Sequence, residues 1–334
     1  MTLDSGQVFH WEKAGKGFVG LIGDAPVYVE QRGNALKANM EGGAPATPGE
    51  RRAIGLGPQE FVPPVTQSVA HYFALDHPLA KICASFPDDP AMNAARLFCR
   101  GLRIIRQPKW ECLATFICSS MKQVAHIRQI SLALRRRFGD RQKVGDHAVY
   151  TFPPAQRIVR ATENDLRECA LGYRAKNLLA TARLVDSAEC DLEAWSALSD
   201  LDLREKLCSL PGVGAKIANC VMLFAYKRLR AFPIDVWIER VLKQQYFPRK
   251  EKITAPRLRE FSEIYFGEHG GYAQQYLFHH ARTALRKSGV SRDSSTPLRF
   301  ARNDKRGRCA NERSSKIAQA KGSALQRKLS APLG

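Results

Sequence analysis

The chain has 334 residues, 44% of them hydrophobic, which is enough apolar material for about two domains with real cores. Fifty-two Lys and Arg against 32 Asp and Glu give a net charge of +20, a field that favours a polyanionic partner such as nucleic acid or an anionic membrane surface. Nine cysteines, an odd number with no CxxC pair, read as reduced thiols and argue against a disulfide framework or an iron–sulfur cluster. No apolar stretch approaches the ~20 residues of a membrane span. The segment Met1-Thr2-Leu3-Asp4-Ser5-Gly6 lacks the basic-then-apolar pattern of a signal peptide. These features predict an intracellular protein without a membrane partner.

In chain order, Val8-Phe9-His10-Trp11, Gly17 to Ile22 and Val27 to Glu30 are short β-branched and aromatic runs, punctuated by turns such as Gly23-Asp24-Ala25-Pro26. They predict strands of a small antiparallel sheet. Residues 42–64, dense in Gly and Pro, predict a surface loop. From about residue 66 apolar residues recur at helical spacing, with Leu113, Phe116 and Ile117 on one face and Ile127, Ile130 and Leu134 on another. Roughly ten helical segments follow as far as Lys287. The class is α+β, a small N-terminal antiparallel β-sheet domain packed on a mainly α-helical one. From Arg286 to the end there are 13 Lys and Arg against 3 Asp and Glu, half of the net charge. With few large apolar residues, the tail 288–334 is expected to stay disordered. It is either an aid to non-specific DNA affinity or an inert terminus.

The chemistry concentrates between Leu203 and Leu242. Leu203 to Leu210 is a helical octet, Pro211-Gly212-Val213-Gly214 forces a tight turn, and Lys216 to Tyr226 is a second, mostly apolar helix. Helix, glycine hairpin, helix presents backbone amides and a helix N-terminus to a phosphate, although an ordinary helix–helix turn has the same outline. Lys216 falls in the first turn of the second helix, where the positive end of the dipole disfavours an ammonium. A neutral amine is what a nucleophilic lysine needs; the plainer role is a phosphate-contacting or solvated lysine. Cys220 lies one turn later on the same face. Asp235, after Phe232-Pro233-Ile234, occupies an N-cap position before a helix from Val236 to Gln245, without a capping box because Ile238 stands third. Beyond capping, a carboxylate close to that lysine can stabilise a cationic sugar centre or shuttle protons.

LPGVGAKIANC followed by PIDVWIERVL resembles the helix-hairpin-helix, Gly/Pro-rich, aspartate superfamily of DNA glycosylases, and within it the 8-oxoguanine DNA glycosylase/AP lyase family. SGQVFHW at 5–11 is similar to the family's opening strand and RQPKWECLATFICSS at 106–120 to its central helix. LGYRAKNLLATA at 171–182 and GYAQQYLFHHA at 271–281 resemble further family segments, so that the likeness runs in order from residue 3 to about 287. The resemblance implies that Lys216 attacks the sugar C1′ as a Schiff-base nucleophile, with Asp235 as the essential carboxylate. It implies that Phe278 and Cys220 sandwich the extruded base, that Gln274 hydrogen-bonds its Watson–Crick edge, and that the carbonyl of Gly6 accepts from N7–H. Tyr173 is implied as the wedge and Arg174 as the contact to the orphaned cytosine, and the hairpin with Gly212 and Gly214 as the phosphate seat. A structural cation on the carbonyls of Cys208, Leu210 and Val213 is implied from relatives. No His, Cys and acid spacing suggests zinc, and no cofactor is expected.

Three features of the family pattern are replaced, at six residues. Met121-Lys122-Gln123 stand where the better-known eukaryotic members carry an asparagine run, and His126 where they carry a second orphan-base arginine. Strict selectivity for cytosine opposite the lesion is thereby put in question. Met121 and the pair His279-His280 are expected to be packing or surface residues. Trp237 and Ala281 replace the family's His–Asp pair near the lesion phosphate, which implies a repacked contact.

The expectation is therefore an N-terminal antiparallel β domain of this family's type over 1–90, a helix-hairpin-helix catalytic domain over 91–287, and a basic tail. The implied enzyme is a monomer that excises 8-oxoguanine, and formamidopyrimidine-guanine, from double-stranded DNA through a lysine imine and then nicks the strand by β-elimination. Two rivals remain: a monofunctional alkylbase glycosylase, which keeps the aspartate but not the lysine, and a non-catalytic DNA-binding module on the same hairpin.

Overall fold

The computed structural model describes residues 1–40, 64–248 and 253–287. The Gly- and Pro-rich stretch before Pro64 and the tail after Lys287 lie outside the described residues. The chain opens on an antiparallel meander of β1 (Glu12–Ala14), β2 (Gly17–Ile22), β3 (Ala25–Arg32) and β4 (Ala35–Met40), paired in sequence order. Each two-residue turn begins with a glycine at positive φ: Gly15 at 55°, Gly23 at 59° and Gly33 at 59°. That geometry matches the twist of tight hairpins.

The sheet is buried on both faces. Val27 and Val29 of β3 face Trp11 and the residues Val69, Tyr72 and Phe73 in and just after α1 (Pro64–Tyr72). Val19 and Leu21 of β2 face Val144 and Val149. These belong to a second hairpin, β5 (Arg141–Val144) and β6 (His147–Tyr150).

The expected opening strand is corrected. Val8, Phe9, His10 and Trp11 are all buried, so the two-residue alternation of a strand at a sheet face is absent, and they run, with a bend at Phe9, as a core strut outside the sheet. The Trp11 indole donates to the Tyr72 hydroxyl at 3.0 Å and fills the space where Gly20 has no side chain.

The helical part comprises α2 (Leu79–Ala84), α3 (Pro90–Phe98), α4 (Lys109–Cys118), α5 (Val124–Phe138), α6 (Ala155–Val159), α7 (Glu163–Glu168) and α8 (Arg174–Asp186). It continues through α9 (Asp200–Cys208), α10 (Ala215–Phe224), α11 (Val236–Gln245), α12 (Ala255–Tyr265) and α13 (Gly270–Lys287). The sequence pattern undercounted these because α2, α6 and α7 are too short to show a period.

Helices α4 and α10 are buried on every side from Glu111 to Cys118 and from Ile217 to Phe224, which is why their sequences carry no polar face. They run antiparallel. At one end the Gln107 backbone amide donates to the Phe224 carbonyl at 2.8 Å; at the other, Lys216 in the first turn of α10 reaches Ser119, the residue after α4, at 3.2 Å. The C-terminal end of α4 is thereby set beside the N-terminal end of α10.

A buried polar junction ties the strut to the helices. His10 Nε2 donates to the Leu21 carbonyl at 2.9 Å, its Nδ1 lies 3.3 Å from Glu111, and the fully buried Arg135 pairs with the same carboxylate. Burial pushes Glu111 up and His10 down from their ordinary values.

Candidate active site

The α9–α10 connection is a tight hairpin. Val213 N donates to the Leu210 carbonyl at 3.1 Å, and Gly212 sits at φ 79° with Asn177 of α8 against it, where a Cβ would meet the amide nitrogen at 2.6 Å. Thr181 of α8 holds the Pro211 carbonyl at 3.2 Å. Gly214 is the N-cap of α10. Gly212 and Gly214 are both exposed, with the hairpin backbone open to solvent. The carbonyls implied as a cation seat belong to Cys208, the last residue of α9, and to Leu210 and Val213 of the hairpin, where the Leu210 carbonyl accepts from Val213 N. Among the described residues no group of three His, Cys, Asp or Glu could hold a metal ion.

Lys216 enters from the first turn of α10 and is half-buried. Its amine donates to Ser119 Oγ at 3.2 Å and stands 5.3 Å from the centre of the Phe116 ring. The single Ser119 proton goes to the Phe116 carbonyl at 2.7 Å, so the hydroxyl offers its lone pair to the amine. Ser119 and Phe116 come from the end of α4, the helix set antiparallel to α10, and the fold thereby aims the lysine. Ser119 lay within a recognised segment but carried no expected role; its signal was the Cys118-Ser119-Ser120 run closing an all-apolar helix.

Asp235 caps α11, accepting from the Ile238 amide at 2.9 Å. Its carboxyl is raised by burial, while the Ile238 amide and the nearby Lys216 ammonium pull it back. The same neighbourhood includes Cys220, whose buried thiol is pushed up to about 11, with Lys216 opposing and Asp235 reinforcing the rise. Lysine, carboxylate and thiol thus share one electrostatic environment, with Lys216 and Cys220 one turn apart on α10 and Asp235 at the N-cap of α11. Asn219 Nδ2 donates to the Phe232 carbonyl at 3.3 Å, tying α10 to the loop that delivers Asp235.

A second group closes the site from the N-terminal side. Gly6, at φ 91°, lies against α13: a Cβ there would be 3.2 Å from Phe278 Cε1 and 3.4 Å from Val124. This close approach and backbone conformation explain a glycine at that position. Buried Gln7 fixes the segment by donating to Ser5 and the Arg103 carbonyl, each at 2.9 Å, and by accepting from the Ile105 amide at 2.9 Å. Arg282 reaches the Asp4 carbonyl at 2.6 Å and stands 5.4 Å from the Phe278 ring. Gln274, one turn before Phe278 and buried, accepts from Gln275 at 3.0 Å.

The turn between α4 and α5 joins the two groups, because Val124 beside Gly6 follows Ser119 by five residues. Arg174 clamps this turn: its Nε donates to the Ser120 carbonyl at 2.7 Å, its Nη2 reaches the same oxygen, and its Nη1 donates to Leu171 at 3.1 Å. Arg174 is buried, and its guanidinium stacks 4.3 Å from the ring of Tyr173, which is 58% exposed. Met121 is 92% exposed on the turn, and His126 is exposed in the first turn of α5. His279 is buried beside Phe98. Trp237, half-buried, lies 5.6 Å from the Arg240 guanidinium, and Ala281 is fully buried.

With this geometry in hand, comparison with known proteins is direct. Residues 1–113 match the 8-oxoguanine DNA glycosylase N-terminal domain, and residues 114–265 match the HhH-GPD superfamily of base excision DNA repair proteins. The chain is 28% identical over 296 residues to the N-glycosylase/DNA lyase OGG1 of Arabidopsis thaliana, covering 83% of this chain and 75% of that relative. Its fold is similar to that of MBOgg1, solved with a low-affinity DNA ligand, at a TM-score of 0.74 and 30% identity over 84% of this chain and 91% of that one. It is also similar to the Clostridium acetobutylicum 8-oxoguanine glycosylase/lyase, solved with double-stranded DNA containing cytosine opposite 8-oxoG, at a TM-score of 0.72 and 28% identity over 84% and 90% of the two chains.

Proposed function

Because the chain belongs to the 8-oxoguanine DNA glycosylase family of the HhH-GPD superfamily, we propose that it excises 8-oxoguanine from duplex DNA with Lys216 as nucleophile and then nicks the strand at the abasic site. The observation that carries this reading is the Lys216 amine held by Ser119 in the electrostatic neighbourhood of Asp235, on the second helix of the hairpin.

In its neutral form the amine attacks C1′ of the flipped nucleotide. The C1′–N9 bond breaks, the base leaves with the bonding pair and takes one amine proton, and the C1′–O4′ bond then opens as the second amine proton passes to O4′, which gives the imine. Loss of a C2′ proton then expels the 3′-phosphate with the C3′–O bonding pair, and water hydrolyses the imine to return the lysine. The Asp235 carboxylate stabilises positive charge at the sugar as the base departs. Burial strengthens that interaction, since fewer waters screen it.

Phe278 and Cys220 form the two faces of the base pocket, with Gln274 on the Watson–Crick edge and the Gly6 carbonyl on N7–H. A guanine lacks that hydrogen and leaves the acceptor unpaired, at a cost of about 1–3 kcal/mol. The hairpin at Gly212 and Gly214 seats a backbone phosphate through exposed amides. Tyr173 is the wedge, Arg174 the contact to the orphaned cytosine, and His126 faces the opposite strand. A cation on the carbonyls of Cys208, Leu210 and Val213 fits the same hairpin. Formamidopyrimidine-guanine, which offers a similar edge, is a second substrate.

The protein acts as a monomer, divided near residue 90, wherever the DNA it repairs resides. Among the described residues no helix is long and apolar enough to cross a membrane. The reading is tested by base release from duplexes that differ only in one 8-oxoguanine or guanine. Release confined to the lesion duplex is expected; release of neither base, or of both equally, contradicts it.

A further inference from the structure

Gln274, Phe278 and Arg282 follow one another on α13 at intervals of four residues. That spacing puts them on one face of the helix, about 12 Å from first to last. The reading above places Gln274 at the Watson–Crick edge of the base and Phe278 on its face. Arg282 continues the same stripe, is buried, and has no part in that reading.

Its surroundings set it in the pocket wall. The guanidinium carbon stands 5.4 Å from the centre of the Phe278 ring. A Cβ on Gly6 would lie 3.4 Å from Arg282 Nη1 and 3.2 Å from Phe278 Cε1, so ring, guanidinium and Gly6 meet at one place. Arg282 Nη2 donates to the Asp4 carbonyl at 2.6 Å, which steadies the fork against the N-terminal segment. A guanidinium carries five N–H donors in a plane, and one carbonyl does not exhaust them.

The chemistry of the lesion says what comes to that place. A purine stacked on Phe278 with its Watson–Crick edge at Gln274 points its five-membered ring the other way, along the stripe towards Arg282. C8 of 8-oxoguanine is bonded directly to N7, so O8 lies beside the N7–H that the Gly6 carbonyl accepts. We propose that Arg282 donates a hydrogen bond to O8 of the extruded base and so reads the oxygen that guanine lacks. The inference rests on the glycosylase reading above and adds a second contact to its pocket. Carbonyl and guanidinium then stand side by side as acceptor and donor, matching the N7–H and C8=O of the lesion. Guanine offers a C8–H at the second position, which gives the guanidinium nothing to bond. A hydrogen bond from a charged donor is about twice as strong as a neutral one, so the contact weighs in selection.

The test measures single-turnover base release by the full chain from one duplex sequence carrying either 8-oxoguanine or 8-thioguanine opposite cytosine. In its thione form the thio base keeps N7–H and exchanges only O8 for sulfur, a weak acceptor. The parent is expected to release the thio base about 10–100-fold more slowly. Arg282→Met keeps the stem and removes the donors. It should slow release of 8-oxoguanine about 10–100-fold and of 8-thioguanine less than about threefold, because the second contact is already lost there. Arg282→Lys keeps a charge beside the Asp4 carbonyl without the fork, and should show the same asymmetry at about 3–10-fold against less than about twofold.

Equal slowing of both bases in the two variants would mean that Arg282 only braces Phe278 and the Gly6 segment, and overturns the contact with O8. Unchanged rates on both bases overturn it as well. So does a parent that releases the two bases equally fast, or the thio base more than about 1000-fold more slowly, which exceeds one hydrogen bond. In each of these cases release of 8-oxoguanine by the parent leaves the underlying reading standing. A parent that releases no 8-oxoguanine overturns that reading and the contact with it.

Discussion

At Lys216 the chemistry comes down to one amine with few places to go. Ser119 accepts from it and has no second proton to offer, because that proton is committed to the Phe116 carbonyl. Ser119→Ala is therefore expected to lower the rate of imine formation by about tenfold through lost aim, with DNA affinity unchanged; a parallel loss of affinity would indicate a general disturbance instead. Asp235 separates its two roles in a similar test. Asparagine caps a helix as well as aspartate does, so Asp235→Asn should shift stability by less than about 1 kcal/mol. It should nevertheless slow base release by about 10²–10⁴-fold, because the carboxylate charge is gone. Burial raises the carboxyl above its ordinary 3.8. If the ionised form works, activity falls as pH drops through that raised value, and the pH profile of base release in the parent should show an acid limb above 3.8 that Asp235→Asn lacks.

Elements explain why the nucleophile could be read from sequence and its support could not. The hairpin between α9 and α10 announces itself through Pro211, Gly212 and Gly214 on consecutive or near-consecutive positions, and Asp235 through the proline two residues before it. Ser119 and Arg174 act across 97 and 54 residues of chain, and no local pattern encodes such pairings. The sheet shows the same limit. β2 and β3 carry alternating Val and Leu and were legible, whereas β4 reads Ala-Leu-Lys-Ala-Asn-Met and is formed by pairing with β3. Val8 to Trp11 has a strand's composition but serves as a buried strut, a tertiary assignment that composition does not encode. The junction of that strut with α4 and α5 is a sensitive point. Arg135→Met strands the buried Glu111 carboxylate and should cost about 3–5 kcal/mol in denaturant unfolding. Adding Glu111→Leu should recover much of that loss; no recovery would mean that Arg135 acts through packing on Phe152 rather than through charge.

For the whole molecule, pH and charge set the working conditions. His279 is buried beside Phe98 and pushed down to about 4, by burial first and by Arg282 second. In the unfolded chain it titrates near its ordinary 6.5, so between those values the unfolded state binds more protons and stability falls as pH falls. His279→Leu should flatten the loss of stability between pH 6.5 and 4 measured by denaturant midpoints; an unchanged slope would assign the effect to other groups such as His10. The net charge of +20 gives the chain a general affinity for DNA that salt weakens, but it does not select a lesion. Selection and chemistry rest on the site, and the central claim is that Lys216 becomes covalently joined to the sugar. Borohydride trapping on a labelled duplex with one 8-oxoguanine measures that bond directly. A stable protein–DNA band is expected with the parent and none with Lys216→Gln, although that variant still binds the duplex. An undiminished band in Lys216→Gln, or base release by the parent with no band at all, would contradict it.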